Sequence, residues 1–136
     1  MTAFIVMKKI RIQHCDAAGV VFTPQYFNLF AEVLEDWWEY GLGVSFKDLI
    51  STHQRAIPLR KLDGEFLVFS RLGDSLEFRL TIQEIQNASV KICIKGYNSE
   101  VIRCYVNMKL VQVDLNSARA IRWSDEWREK MLAYAA

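Results

Sequence analysis

Residues 25–40 carry polar side chains at spacings of three and four positions, and large apolar side chains fill most places between them. This spacing predicts an α-helix with one narrow polar stripe and a wide apolar face. Pro24 suits the first helical position because its missing N–H costs nothing there, and Thr23 is the candidate N-cap. Gly41 and Gly43 predict where the helix ends. So wide an apolar face must be enclosed by a large surface.

Most of the remaining chain alternates between apolar and polar residues, which is the period of a β-strand with one buried face. The clearest alternation places apolar residues at Leu76, Phe78, Leu80 and Ile82. The predicted strands are, in order, residues 4–13, 55–60, 63–71, 75–85, 88–97 and 101–113. Short helices are predicted at residues 46–50, after Ser45, and near the C-terminus, after the polar residues 124–126.

The predicted order is a strand, a long apolar helix, several antiparallel strands and a short helix. An α+β domain, in which a curled antiparallel β-sheet wraps around the long central α-helix, would enclose every apolar face in this order. No repeat or proline-rich linker divides residues 1–136, so we expect a single domain. If the long strand at 101–113 were an edge strand, its exposed hydrogen-bonding groups would favour pairing with a second copy.

The charge balance limits the classes of partner. Seventeen Lys and Arg residues against sixteen Asp and Glu residues leave a formal charge of +1. No overall field therefore favours nucleic acid or an anionic membrane. No apolar run reaches the roughly 20 residues that cross a bilayer, and the N-terminal residues lack signal-peptide organisation. Three cysteines without CxxC spacing suit free thiols in a reducing compartment, so we expect a cytoplasmic protein without a metal site.

Asp16 is the strongest candidate for a catalytic group because it lies between the first strand and the start of the long helix. The N–H groups at a helix N-terminus can stabilise a carbonyl oxygen that becomes negative in a transition state. A carboxylate beside them would complete a site for acyl transfer. The alternative is that Asp16 only caps a turn, which is a common role for an Asp ahead of a glycine-containing loop.

The sequence RIQHCDAAGVVFTPQY, residues 11–26, resembles the segment that joins the first strand to the central helix in the 4-hydroxybenzoyl-CoA thioesterase family, which has the hotdog fold. The matching residues are Asp16, Ala18, Gly19, Val20, Val21, Phe22, Pro24 and Tyr26. The resemblance implies an acyl-CoA thioesterase with Asp16 as its catalytic residue and no cofactor. It also implies that Gly19, the backbone at Thr23 and Tyr26 bind the substrate. Hotdog proteins usually pair, with sites at the interface, so a homodimer or homotetramer is expected.

The acyl group and its carrier stay open. Family members that act on 4-hydroxybenzoyl-CoA hold its phenol with a carboxylate five residues after the tyrosine, where this chain has Ala31. The turn that carries their basic cluster for the CoA nucleotide corresponds to residues 86–89, which are uncharged here. A small, medium-chain or aromatic acyl-CoA is the first hypothesis. An acyl-carrier-protein thioesterase and a hotdog protein that binds acyl-CoA without turnover are the alternatives.

Two mechanisms are compatible with the sequence, since Asp16 could attack the thioester carbon or activate a water as general base. His14 could orient Asp16, but a local hydrogen-bonding role is favoured. Cys15 is interpreted as a packed or free thiol. Glu32 and Glu35 lie on the polar stripe of the helix, which favours a solvated face or a subunit contact over catalysis.

Overall fold

The computed structural model describes residues 2–136, which form one five-stranded sheet, one two-stranded sheet and three α-helices. The strands are β1 Phe4–Lys9, β2 Arg55–Ala56, β3 Leu59–Phe66, β4 Ser75–Ile85, β5 Ser89–Asn98, β6 Val101–Val111 and β7 Val113–Asp114. The α-helices are α1 Thr23–Asp36, α2 Phe46–Ser51 and α3 Asp125–Leu132. The large sheet has the order β1-β4-β5-β6-β3 with every neighbouring pair antiparallel, and β2 pairs with β7.

The core lies between α1 and one face of the large sheet, as the two apolar patterns require. The apolar positions of β4 are at most 1% exposed at Leu76, Phe78, Leu80 and Ile82. Phe30 of α1 meets Phe78 edge-on, with ring centroids 6.1 Å apart. Burying each side chain of this size contributes roughly 1.5–3 kcal/mol of hydrophobic stabilisation. The predicted α+β architecture, with an antiparallel sheet and a central helix, is confirmed.

At the C-terminal end of α1 the chain covers its own apolar surface. The helix continues into a π-helical turn, Trp37–Gly41, which buries two successive indoles. Trp38 meets Trp127 of α3 edge-on at 5.4 Å and lies 6.0 Å from Trp123. We call this cluster of Trp37, Trp38, Trp123 and Trp127 the closed end.

The helix boundaries differ from the prediction at both ends of α1. The helix begins at Thr23, so Phe22 occupies the N-cap position and no side chain caps the first turn. Thr23 as N-cap was therefore wrong, and Pro24 is the second helical residue. The regular α-helix ends at Asp36 because the chain widens into the π turn.

The first strand is shorter than predicted. It ends at Lys9, and Ile12–His14 form a 3-10 turn instead of continuing the strand to residue 13. The backbone N–H of Arg11 donates to His14 Nδ1 at 2.9 Å and fastens this turn. The isoleucines at this point resemble a strand in sequence, although only Ile10 is buried.

Three further strand predictions need correction. The strand expected at 55–60 is divided, because Pro58 falls between β2 and β3. The strand expected at 63–71 stops at Phe66, since the N–H groups of Leu67 and Val68 both donate to the Arg103 carbonyl. The long strand β6 lies between β5 and β3, so it is not an edge strand. The edges of the sheet are β1 and β3. The sequence did not predict this order, because the alternation of polar and apolar residues within a strand does not depend on which strands are its neighbours.

Candidate active site

Asp16 lies in an exposed turn between the 3-10 turn and α1. Its Oδ1 accepts hydrogen bonds from the Ala18 N–H at 2.9 Å and from the Val20 N–H at 3.4 Å. Its Oδ2 accepts none of the hydrogen bonds found within residues 2–136. One carboxylate oxygen therefore caps the turn, as the structural alternative predicts, and the other is free for chemistry.

The loop after Asp16 is held in place by the segment that precedes β4. Gly19 adopts a left-handed conformation with φ +74°, which disfavours any residue with a Cβ. Its carbonyl accepts a hydrogen bond from the Leu72 N–H at 2.9 Å, and the Val21 N–H donates to the Ser70 carbonyl at 2.9 Å. The loop therefore has one fixed path from Asp16 to the helix.

The first N–H of α1 belongs to Thr23. No acceptor for it is found within residues 2–136, and Pro24 has no N–H to offer. The first N–H groups of a helix have no partner inside the helix and carry the positive end of its dipole. The Thr23 N–H is thus available to a negatively charged oxygen.

A pocket of about 380 Å³ opens beside this helix start. Its walls are mainly apolar and consist of Val21, Thr23, Tyr26, Phe66, Leu67, Val68 and Phe69. The structure thus brings Thr23 and Tyr26 together at one pocket, and their binding of substrate stays a prediction. Asp16 and Gly19 are outside these walls, on the loop that leads to Val21 and the pocket. A depression of about 440 Å³ on the opposite face of the sheet contains none of the predicted site residues.

Tyr26 forms one wall of the pocket and is almost completely buried, with 4% of its surface exposed. Its ring packs against that of Phe66 with centroids 4.7 Å apart. Burial raises the pKa of the Tyr26 phenol, while the hydroxyl and N–H of Ser70 beside it act in the opposite direction. The phenol is therefore protonated at neutral pH and can donate a hydrogen bond.

Residues 66–69 supply the rest of the wall, which the sequence did not predict because residues 63–71 have the composition of a strand. Phe66, Leu67, Val68 and Phe69 are all exposed, Phe69 by 73%. Arg103 fastens this segment, since its carbonyl binds the N–H groups of Leu67 and Val68 and its Nη1 donates to the Phe69 carbonyl at 2.6 Å. The signal in the sequence was the run of four apolar residues, which breaks the alternation. We call Phe22, Phe27 and residues 66–69, all exposed, the open end of the molecule.

The comparison with known families decides the family of this chain. The profile of the Thioesterase-like superfamily matches residues 10–131, which include Asp16, the pocket and the whole large sheet except β1. The chain belongs to the Thioesterase-like superfamily. It is a thioester hydrolase.

Several relatives of this thioesterase share one name, 1,4-dihydroxy-2-naphthoyl-CoA hydrolase. The 1,4-dihydroxy-2-naphthoyl-CoA hydrolase of Prochlorococcus marinus is 26% identical over 136 aligned residues, covering 90% of this chain and 84% of the relative. The superfamily is therefore established. The relative is named for 1,4-dihydroxy-2-naphthoyl-CoA, whereas the family that residues 11–26 resemble is named for 4-hydroxybenzoyl-CoA.

Solved structures show the hotdog thioesterase fold. A 1,4-dihydroxy-2-naphthoyl-CoA thioesterase from Synechocystis superposes with a TM-score of 0.85 at 20% identity, covering 96% of each chain. A gentisyl-coenzyme A thioesterase superposes with a TM-score of 0.83 at 19% identity, covering 95% of this chain and 99% of the other. At these identities the likeness establishes the fold alone.

The neighbours of Asp16 have local structural roles in the thioesterase. His14 is buried and its Nδ1 accepts the Arg11 N–H, as the local hydrogen-bonding interpretation predicts. No hydrogen bond joins His14 to the Asp16 side chain within residues 2–136. Cys15 is half-buried, and both burial and the Asp16 charge raise the pKa of its thiol. A raised thiol pKa disfavours the reactive thiolate.

The remaining candidate groups lie away from the pocket walls. Glu32 pairs with Lys8 at 3.4 Å, and Glu35 is exposed on the same helix. Ala31 is exposed and does not line the pocket. Within residues 2–136 no group of three or more His, Cys, Asp or Glu side chains could hold a metal ion. Over the same residues, every helix is too short or too polar to cross a membrane.

Proposed function

We propose that this thioesterase hydrolyses an aromatic acyl-CoA, with Asp16 as the catalytic carboxylate and the Thr23 N–H as the donor to the oxyanion. The observation that carries the proposal is the combination of a free carboxylate oxygen on the Asp16 loop with an apolar pocket that starts at the unpartnered N–H of α1. Its volume of about 380 Å³ is in the range that holds small organic ligands.

The pocket walls support an aromatic acyl group over a flexible chain. Tyr26 and Phe66 contribute packed rings to the walls, and Phe69 adds a third ring from the segment that follows Phe66. Aromatic rings prefer offset or edge-on contacts with one another, which a ring substrate can make. The relatives named above act on 1,4-dihydroxy-2-naphthoyl-CoA and gentisyl-CoA, and both of these acyl groups are aromatic.

Two chemical routes use the same groups. In the first, an Asp16 oxygen bonds to the thioester carbon, the C–S bond breaks to release the CoA thiolate, and water hydrolyses the mixed anhydride. In the second, Asp16 accepts a proton from water while the water oxygen attacks the carbon, and the same thiolate leaves. In both routes the carbonyl oxygen becomes negative, and the Thr23 N–H with the helix dipole stabilises it.

The chain acts as a homodimer or homotetramer in this proposal, with a second copy covering the open end. The edge strand β3 is exposed along most of its length, and the apolar segment 66–69 follows it directly. An exposed edge beside an exposed apolar patch favours association with another chain. Such a partner would also shield the pocket from water.

Thiol release with a chromogenic trap tests the proposed substrate class. The panel contains benzoyl-, naphthoyl-, acetyl-, octanoyl- and palmitoyl-CoA, together with one aromatic and one medium-chain acyl group carried on acyl-carrier protein. We expect the highest kcat/KM on an aromatic acyl-CoA. A preference for acyl-carrier protein at equal acyl group would contradict the carrier, and a preference for octanoyl-CoA would contradict the acyl class. Tight binding of acyl-CoA without any turnover would identify a binding protein instead of an enzyme.

A further inference from the structure

Residues 66–69, which we call the wall segment, are not held in place by the burial of their own side chains. All four side chains are exposed, from 44% at Phe66 to 73% at Phe69. The regular pairing of β3 with β6 also ends at Phe66. The position of the wall segment therefore depends on the hydrogen bonds made by its backbone.

Arg103 of β6 makes three of these hydrogen bonds. Its carbonyl oxygen accepts from the N–H groups of Leu67 at 2.8 Å and Val68 at 3.2 Å. Its Nη1 donates to the Phe69 carbonyl at 2.6 Å, and a hydrogen bond from a charged donor is stronger than one between neutral groups. Arg103 thus binds the backbone of three successive residues of the wall segment.

The guanidinium of Arg103 also binds the turn that precedes β4. Its Nη1 lies 3.4 Å from Asp74 Oδ2, which accepts the Arg71 N–H at 2.9 Å. The Arg103 and Asp74 side chains are 18% and 27% exposed, so solvent screens this ion pair less than a pair on the open surface. The Asp74 carbonyl accepts the Ile10 N–H at 2.7 Å, which fixes the turn to the residue after β1. One side chain therefore ties the wall segment to a turn that the sheet holds.

Arg103 is not among the residues that line the pocket, so it can act on a bound acyl group only through the wall segment. The loop that carries Asp16 has hydrogen bonds of its own. Asp16 Oδ1 accepts the Ala18 N–H at 2.9 Å, and the His14 carbonyl accepts the Phe22 N–H at 2.9 Å. Loss of the Arg103 side chain should therefore release the wall segment and leave the Asp16 carboxylate in place.

We propose that Arg103 is a positioning residue, which fixes the wall segment and thereby sets the affinity for acyl groups that contact it. The inference rests on the proposed function and adds to it a residue outside the pocket. A released wall segment would have to become ordered when the acyl group binds, and this loss of conformational freedom opposes binding. The effect should therefore fall on binding of the acyl group and not on the chemical step.

Calorimetry in an Asp16→Asn background tests the inference without turnover. The measured quantity is the acyl ratio, which is the dissociation constant of free CoA divided by that of naphthoyl-CoA. We expect Arg103→Met to lower the acyl ratio by at least about tenfold, through weaker binding of naphthoyl-CoA with the affinity for CoA unchanged. With Asp16 restored, the KM for naphthoyl-CoA should rise by a similar factor while kcat stays within about threefold.

Arg103→Lys is the conservative variant. Lysine keeps the positive charge but replaces the planar fork of donors by a single ammonium group, so we expect an acyl ratio between those of Arg103→Met and the parent. If Arg103→Met does not fold, the inference is decided by Arg103→Lys. A folded Arg103→Lys with the acyl ratio of the parent would then overturn it.

Arg55→Met is the matched control. Arg55 pairs with Asp114 at 2.9 Å and donates to the His53 carbonyl at 2.8 Å, so it makes the same two kinds of contact away from the pocket walls. Both methionine variants are expected to melt at a lower temperature, but only Arg103→Met should change the acyl ratio. If both variants lose stability and keep the acyl ratio of the parent, Arg103 serves the fold alone and the inference is overturned. An acyl ratio near one in the parent also overturns it, because the wall segment then binds no acyl group.

Hydrolysis by the chain with Asp16 intact separates this inference from the proposed function. If no acyl-CoA is hydrolysed but Arg103→Met lowers the acyl ratio as expected, the proposed function fails and the inference stands. If naphthoyl-CoA is hydrolysed and Arg103→Met changes neither the acyl ratio nor the KM, the proposed function stands and the inference fails.

Discussion

The two ends of the central helix bury their aromatic side chains to very different degrees. At the closed end, Trp37 and Trp38 are fully buried, and Trp38 packs against Trp123 and Trp127. At the open end, Phe22, Phe27 and Phe69 are exposed around a pocket, and the first turn of α1 has no side-chain cap. The chain thus covers its own apolar surface at one end. At the other end the apolar surface stays exposed, where a ligand or a partner can bind. The difference separates the residues that stabilise the fold from those that we propose bind the substrate or a second copy.

Truncation at the closed end should have the largest effect on stability. Trp38→Ala removes a buried indole that contacts three other indoles, and we expect the free energy of unfolding to fall by about 3–5 kcal/mol. Urea unfolding measures this loss. Tyr40→Ala, in the same π turn but largely exposed, is expected to change stability by less than about 0.5 kcal/mol. Equal effects of the two variants would show that the closed end does not stabilise the fold in this way.

A charge at the open end should affect association more than folding. Phe69→Asp places a carboxylate on the exposed apolar segment, and we expect the dimer dissociation constant to rise at least about tenfold, which corresponds to about 1.4 kcal/mol. Sedimentation velocity over a concentration series measures it. Leu132→Asp, an equivalent change on exposed α3, is the control that should leave association unchanged. Wild-type sedimentation as a monomer at all concentrations would refute the proposed oligomer.

Substitution of Gly19 should have a smaller effect on stability. Comparison with Gly73 separates an effect on stability from an effect on activity. Gly19→Ala and Gly73→Ala both introduce a Cβ at positive φ, +74° and +90°, and neither Cβ meets another atom within 4 Å. We expect the free energy of unfolding to fall by a similar amount in both variants, about 1–2 kcal/mol, as measured by denaturant unfolding. Only Gly19→Ala should lower kcat/KM, because Gly19 sets the path from Asp16 to the pocket. A matching loss of activity in both variants would indicate a general effect on folding.

The smallest predicted effect is on the reactivity of Cys15, which depends on the charge of Asp16. Asp16 contributes to the raised pKa of Cys15, so Asp16→Asn should lower that pKa and speed the reaction of Cys15 with a thiol reagent by a few-fold at pH 8. Cys104 is fully buried, and burial raises its pKa to about 12, so it should stay unreactive in the native protein. No change in the Cys15 rate would mean that Asp16 does not act electrostatically on its neighbour.

The sequence predicted those elements whose burial pattern is regular. Alternation at Leu76 to Ile82 predicted β4 with its observed bounds, and the polar stripe predicted α1 within a turn. The prediction failed where long-range contacts decide the structure. The segment after Phe66 is as apolar as a strand, but the N–H groups of Leu67 and Val68 both donate to one carbonyl of β6, that of Arg103, so the regular pairing of β3 with β6 ends there.

Only the part of the candidate site that lies within residues 11–26 could be predicted from the sequence. Residues 11–26 are consecutive, so a resemblance could point to Asp16, Gly19, Thr23 and Tyr26 together. Ser70 lies far from them along the chain and contacts two residues of the pocket wall, Val21 through a backbone hydrogen bond and Tyr26 beside its phenol. No pattern of spacing or composition distinguishes this serine from a surface residue before the chain is folded.

The most direct test of the account is the activity and melting temperature of Asp16→Asn beside those of Asp114→Asn. Both aspartates accept backbone N–H groups in turns, and an asparagine oxygen can still accept them, so both variants should fold. We expect Asp16→Asn to lose at least about 100-fold in kcat/KM on an aromatic acyl-CoA with an unchanged melting temperature, while Asp114→Asn keeps its activity. Hydrolysis by Asp16→Asn within tenfold of the wild type would contradict the catalytic role of Asp16 and leave it as a turn cap.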